Sequence, residues 1–174
     1  KSTLLYLLLG LIKPDQGNVF FNNKNIHNDL STWRKNLSYV SQNIYLYDSS
    51  IKNNIIFNAY SDMKKIDNEK LKKVLDIADF NEKIDQLPDG LETTVGNDGI
   101  KLSGGEKQRL GIARALFKDS EFFFMDEFTS SLDNETENKI IDNIFNSFPN
   151  NTMVIVSHRD STIKRCNKVI QIKN

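Results

Sequence analysis

An α/β domain with a mostly parallel core sheet is what this sequence predicts, and three observations predict it. Glu121-Phe122-Phe123-Phe124-Met125 is a continuous apolar run, the pattern of a strand covered on both faces of a parallel sheet. Strand-like segments at 37–40, 121–125 and 152–156 are separated by segments with helical spacing, and that alternation implies parallel strands joined through helices. Each strand also leads into polar side chains: Gln42 after the first, Asp126 and Glu127 after the second, His158 after the third. If the strands are parallel, these residues share the carboxyl edge, where open α/β sheets hold their ligands.

Length and charge bound what such a sheet can serve. The chain has 174 residues, enough for one domain, with 23 lysine and arginine against 23 aspartate and glutamate. No basic tract runs along any helix, so no nucleic-acid partner is expected. The single Cys166 excludes an internal disulfide, suits a reducing cytosol and is expected to be small packing filler. The apolar run over residues 4–12 is interrupted by Tyr6 and Gly10 and is far short of the ~20 residues of a membrane helix, so this chain is expected to be soluble. It begins at a lysine and ends in a strand-like stretch, Lys168-Val169-Ile170-Gln171-Ile172-Lys173-Asn174, and so reads as a fragment, 1–174, of one domain cut at both ends.

Taken in order, Lys1-Ser2-Thr3 leads into Leu4, Leu5, Leu8, Leu9 and Ile12, a helical run ending before Lys13-Pro14-Asp15-Gln16-Gly17. A lysine and a hydroxyl at a helix start are what a P-loop uses for outer phosphates and magnesium; an ordinary capped helix is the plain alternative. Val19-Phe20-Phe21 reads as a strand, residues 22–28 as a turn-rich connection with a solvated His27, and Ser31-Thr32-Trp33-Arg34 as a short capped helix. Beyond the strand that runs into Ser41-Gln42, Asp48 or Ser49 can cap a helix through Ile51, Ile55 and Ile56. Another helix over 67–78 carries Leu71, Val74, Leu75 and Ala78 on one face. A helical subdomain over about 43–119 is expected.

Leu102-Ser103-Gly104-Gly105-Glu106-Lys107-Gln108-Arg109 opens the last helix of that region. Ser103 with Glu106 three residues on reads as a capping box, and Leu110, Ala113, Leu116 and Phe117 keep helical spacing to about Lys118. Gly104 and Gly105 in the first turn cost roughly 1 kcal/mol each against alanine and leave the amides bare. Bare amides, a serine hydroxyl and the positive end of the helix dipole make a phosphate site; a surface helix with a glycine-containing cap is the plain alternative. Farther on, Asp133 reads as the N-cap of a helix through Ile140, Ile141 and Ile144, and residues 152–156 as another buried strand ending in Ser157-His158.

Together these residues make a parts list for phosphoryl transfer, which is mainly positioning and charge neutralisation. Ser2 and Asp126 offer hard oxygens to magnesium. Glu127 is then free to polarise the attacking water as general base, Gln42 can reach the metal or the water, and His158 can bond the terminal phosphate. Metal-assisted hydrolysis of ATP is the expected reaction.

The chain resembles the nucleotide-binding domain of the ATP-binding cassette (ABC) ATPases, a P-loop NTPase fold with an inserted helical subdomain. The resemblance runs in family order: Lys1-Ser2-Thr3 as the end of the Walker A motif, Gln42 as the Q-loop, the signature from Leu102, Asp126 and Glu127 closing Walker B, Ser131-Leu132-Asp133 as the D-loop and His158 as the switch. It implies a head-to-tail pair of such domains, in which Ser103, Gly104 and Gly105 of one and the D-loop Asp133 help close on ATP held by Lys1, Ser2 and Thr3 of the other. The glycines of the P-loop and the adenine-stacking aromatic would precede Lys1.

Thr93-Thr94-Val95-Gly96 is similar to the X-loop of exporters, as is Ser157-His158-Arg159 followed by Ser161-Thr162-Ile163. The implied whole is a membrane exporter or flippase with transmembrane helices fused ahead of Lys1, this domain lying on the cytoplasmic face. Asn97, Phe128, Ser131 and Asp160 depart from the pattern without removing a catalytic group. Alternatives are a soluble ABC ATPase of repair, chromosome or ribosome work, a separate importer subunit and a non-hydrolysing regulatory cassette. The stretch between Gln42 and Leu102 has no heptads, against the coiled-coil soluble type, and the presence of Glu127 and His158 disfavours the regulatory one.

Overall fold

The computed structural model describes residues 1–57 and 66–172. Helix α1 (Ser2–Leu8) leads through a loop to an antiparallel hairpin, β1 (Phe20–Phe21) and β2 (Lys24–Asn25), then to α2 (Leu30–Lys35) and β3 (Leu37–Val40). Next come α3 (Ile51–Ile55), α4 (Asn68–Ile77), α5 (Asn81–Asp85) and the long α6 (Gly104–Phe117). Strand β4 (Phe122–Asp126), helix α7 (Asn134–Ser147), strand β5 (Thr152–Val156) and helix α8 (Asp160–Ile163) complete the chain. The region expected to be a helical subdomain, about 43–119, includes 58–65, which lie outside the described residues.

The sheet has the order β3-β4-β5 with both pairings parallel. Val40 pairs with Met125 and Asp126 with Val156, so all three strands end at one edge. Strand β4 is central and every residue in it is buried, as its unbroken apolar run predicts. Its side chains alternate between two cores. Phe123 and Met125 join the larger one with Leu110, Ile112 and Leu116 of α6 and Ile140, Ile141 and Ile144 of α7. Phe122 and Phe124 face the other way, onto Leu5 and Leu9 at α1. There Phe21, Trp33 and Phe122 form an aromatic trio with centroids 5.1 to 5.4 Å apart. Full burial of a ring such as Phe122 is worth about 1.5–3 kcal/mol, and the partly buried Phe21 and Trp33 gain less.

Several local expectations need correction. Helix α1 ends at Leu8 rather than running to Ile12, because Gly10 takes a left-handed φ of 67° and the Leu11 amide turns back to the Tyr6 carbonyl at 2.9 Å. A Cβ at Gly10 would also lie 2.5 Å from Leu30 Cδ2, so a side chain there would have to displace Leu30 of α2. Ser50, not Asp48 or Ser49, caps α3, accepting from the Asn53 amide at 3.1 Å. His27 is not solvated. A 3-10 turn (Ile26–Asn28), capped by the Asn25 side chain, folds it back, and both ring nitrogens are shielded from solvent with no hydrogen-bond partner among the described residues. Strand β5 is half-buried rather than buried: among the described residues it pairs on one side only, with β4. Residues 168–172 form no strand, having no ladder to join, and Val169 and Ile170 are exposed; 173 and 174 lie outside the described residues.

Candidate functional site

Backbone geometry at the end of β4 builds the site. Asp126, the last residue of β4, is 3% exposed, on the α1 side of the sheet with Phe122 and Phe124. At Glu127 the chain takes a left-handed φ of 46°, a conformation that costs a non-glycine residue roughly 1–2 kcal/mol. Its amide still donates to the Val156 carbonyl at 3.0 Å, extending the ladder one step while the chain turns. The carboxylate thereby spans the ends of both neighbouring strands. Gln42 Nε2, beyond β3, donates to Glu127 Oε2 at 2.9 Å, and His158 Nε2, beyond β5, lies 3.4 Å from Glu127 Oε1.

Lys1 closes the group from the start of α1. Its ammonium is 3.2 Å from Nε2 and 3.3 Å from Nδ1 of His158. The imidazole thus lies between the Lys1 ammonium and the Glu127 carboxylate, with the ammonium within reach of both ring nitrogens. Lys1, Gln42, Glu127 and His158 therefore meet from four separate segments. Ser2 and Thr3 follow Lys1 in the first turn of α1. Beneath them, burial and the nearby Tyr6 and Asp126 push the Tyr39 phenol above its usual range, so it stays protonated beside the Asp126 carboxylate.

Ser103, Gly104 and Gly105 are not part of that group; their contacts run to Ser131 and Leu132 and to their own helix. The capping box is complete: Ser103 Oγ accepts from the Glu106 amide at 3.2 Å and Glu106 Oε2 from the Ser103 amide at 2.7 Å. Burial by itself would raise the Glu106 carboxyl, but Lys83 at 2.9 Å and the Ser103 amide and hydroxyl hold it below its usual value. A Cβ at Gly105 would lie 3.3 Å from the Ser131 carbonyl oxygen, so the bare glycine lets two backbones approach. Asp133 caps α7, accepting from the Glu135 and Thr136 amides at 3.0 Å each, and the Thr136 bonds hold its carboxyl below its usual value.

Sequence reasoning missed the residue that joins the two places. Gln108, 2% exposed on α6, donates to Ser130 Oγ at 3.1 Å and to the Glu127 carbonyl at 3.4 Å, while its Oε1 accepts from the Ser131 amide at 2.7 Å. It also missed Glu137, 1% exposed, whose partners are Arg159, Thr129 and Thr162. Two signals were available: Gln108 falls at helical spacing with Ile112 and Ala115, and Glu137 precedes Ile140, Ile141 and Ile144 on one helical stripe.

The donor set suits a magnesium-bound polyphosphate: a buried carboxylate at Asp126, a hydroxyl at Ser2 and an amide at Gln42 are hard oxygen ligands, with the Lys1 ammonium beside them for an anion. Magnesium is usually bound through one or two carboxylates with phosphate oxygens and waters completing the shell, and Asp126 would be that carboxylate here.

Comparison with known proteins follows the same line. A family model described as ABC transporter matches residues 1–130. The ATP-dependent lipid A-core flippase of Xylella fastidiosa is 36% identical over 171 residues, covering 98% of this chain and 28% of that protein. The protein of the same description from Idiomarina loihiensis is 37% identical over 175 residues, covering 100% of this chain and 30% of its own length. Among solved structures, one titled as a bacterial Atm1-family ABC exporter with ATP bound superposes with a TM-score of 0.87 at 32% identity, over 95% of this chain and 29% of that one. The chain thus spans less than a third of the relatives it matches.

Proposed function

Because this chain belongs to the ABC transporter family, with the P-loop NTPase fold of its nucleotide-binding domain, we propose that it binds ATP and hydrolyses it to drive a membrane exporter or flippase. The observation that carries the reading is the meeting of Lys1, Gln42, Glu127 and His158 at one edge of a parallel sheet. The flippase relatives and the exporter neighbour support the transport half of it.

Each side chain has a task that its surroundings suit. The Lys1 ammonium holds the outer phosphates, exchanging the His158 ring for an anion, and the first-turn groups of Ser2 and Thr3 line the same end of α1. Ser2, Asp126 and Gln42 hold magnesium, which when bound screens the phosphate charge. Glu127 is the general base. Its two oxygens face Gln42 and His158, which hold the carboxylate in one orientation to accept a proton from water. His158 offers a ring N–H to the terminal phosphate and hands orientation back to Glu127.

Ser103, Gly104, Gly105 and Asp133 serve the second nucleotide-binding domain of a head-to-tail pair, closing on ATP held by the partner's Walker A residues. Transmembrane helices, placed on the N-terminal side, complete the transporter, with this domain on the cytoplasmic face and no nucleic-acid partner.

Glu127→Gln in the whole transporter tests the reading. General-base assistance is worth about 10²–10⁴-fold, so turnover should fall by at least ~100-fold while ATP binding persists. Retained turnover removes Glu127 as the base.

A further inference from the structure

None of those steps uses Glu137, although it is 1% exposed and carries a charge-bearing group into the core. Every bond it makes runs to a different part of the chain. Its Oε1 accepts from Thr129 Oγ1 at 3.0 Å and from Thr162 Oγ1 at 3.2 Å, and its Oε2 pairs with Arg159 Nη1. The other arm of the guanidinium donates to the Leu132 carbonyl at 3.1 Å and the Ser130 carbonyl at 3.4 Å. A buried ion pair is weak evidence for stability, since apolar residues of similar volume often serve as well. A positional role is the better account where a buried carboxylate pairs with a half-buried guanidinium whose other arm grips two backbone carbonyls.

What it positions follows from the chain. Arg159 is the residue after His158. On the other side, the Ser130 amide donates to the Glu127 carbonyl at 3.0 Å, so the loop that Arg159 grips by its carbonyls is the loop that carries Glu127. The 3.4 Å contact between His158 and Glu127 is thus spanned by one anchor. We infer that Glu137 and Arg159, with Thr129 and Thr162, form a positioning clamp that holds His158 and Glu127 in register, and so govern the rate of hydrolysis rather than affinity for the nucleotide.

This inference rests on the proposed ATPase reading, and its test separates the two. In the whole transporter, reconstituted in lipid nanodiscs, kcat and KM for ATP are measured for the wild type, Arg159→Lys and the neutral double variant Glu137→Gln/Arg159→Gln. Amide exchange is followed over 128–132 and 157–162 in the same samples. Lysine keeps the charge but not the fork, and the double variant leaves no buried charge unpaired, so it also controls for folding. Misplacing a group by about 1 Å can cost ~100-fold, so kcat should fall at least ~10-fold in both variants, with KM within about twofold. Exchange in both loops should quicken. Unchanged exchange in the double variant overturns the clamp, as does an unchanged kcat, or a loss that disappears well below each variant's unfolding temperature. A wild type that does not hydrolyse ATP overturns the ATPase reading instead, and the exchange result then decides the clamp alone.

Discussion

Two regions of this molecule present groups suited to phosphate, and they are built in opposite ways. At the start of α6 the backbone does the work: Ser103 and Glu106 satisfy one another within four residues, and Gly105 lets the helix meet the Ser131 carbonyl. At the edge of the sheet, side chains from four segments meet around a carboxylate held in a left-handed turn. The first region is capped by bonds within one turn, and Lys83 and Ser131 are its contacts with the rest of the chain. The second exists only because three strands end in register, and its histidine side chain remains 67% exposed. Local hydrogen bonding can pre-form an anion site, whereas a hydrolytic set needs groups of different chemistry that no short stretch of chain can supply.

The sharpest way to break that contrast is to weaken the sheet and leave the helix start alone. Phe124→Ala removes a 3% exposed side chain on the α1 face of the sheet, away from α6 and two residues before Asp126, at about 3–5 kcal/mol. Amide exchange in the whole protein should quicken along β4 and the Glu127 turn far more than at Ser103–Glu106; equal effects would mean the two regions are one cooperative unit. Gln108→Ala attacks the link between them. It removes the acceptor of the Ser131 amide, a bond worth about 0.5–1.5 kcal/mol net, and a double-mutant cycle with Ser130→Ala should show coupling. Additive losses would argue that Gln108 is packing only.

Ser103→Ala tests the local region by itself. Loss of an N-cap costs about 0.5–2 kcal/mol, read as faster exchange of the Glu106 amide, with the Gln42–Glu127 bond unaffected. The smallest effect is set by pH. Because the Glu106 carboxyl is held below its unfolded value, its contribution is present above the unfolded pKa and fades as pH falls through the lowered one. Protection of the Ser103 and Glu106 amides should therefore decline in acid, and Glu106→Gln should flatten that dependence. A rise in protection on acidification would reverse the sign and remove the Lys83–Glu106 pair as its cause.

Much of the architecture can be read from short stretches because short-range physics builds it. Ser103 and Glu106 at α6 and Asp133 before α7 are caps whose donors lie two or three residues away, and each forms as its spacing predicts. The five-residue β4 is an apolar run whose sides face two cores. Errors arise where a distant segment intervenes. Gly10 turns α1 aside beneath α2, His27 is drawn in by a turn, and residues 168–172 pair with no strand among the described residues.

The candidate site divides the same way. That Gln42, Asp126, Glu127 and His158 follow apolar runs is visible in the sequence, as is the motif order that marks the family. The bonds among them, and the anchors Gln108, Glu137 and Arg159, are not, since apart from the Thr129–Glu137 bond their partners lie 19 or more residues away. The sequence by itself determined the caps, the central strand, the alternation of helix and strand and the chemical types at the strand ends, because those depend on neighbours a few residues apart. Only the tertiary structure decided which oxygen faces which nitrogen, because parallel pairing and the left-handed turn at Glu127 set distances that no local spacing contains.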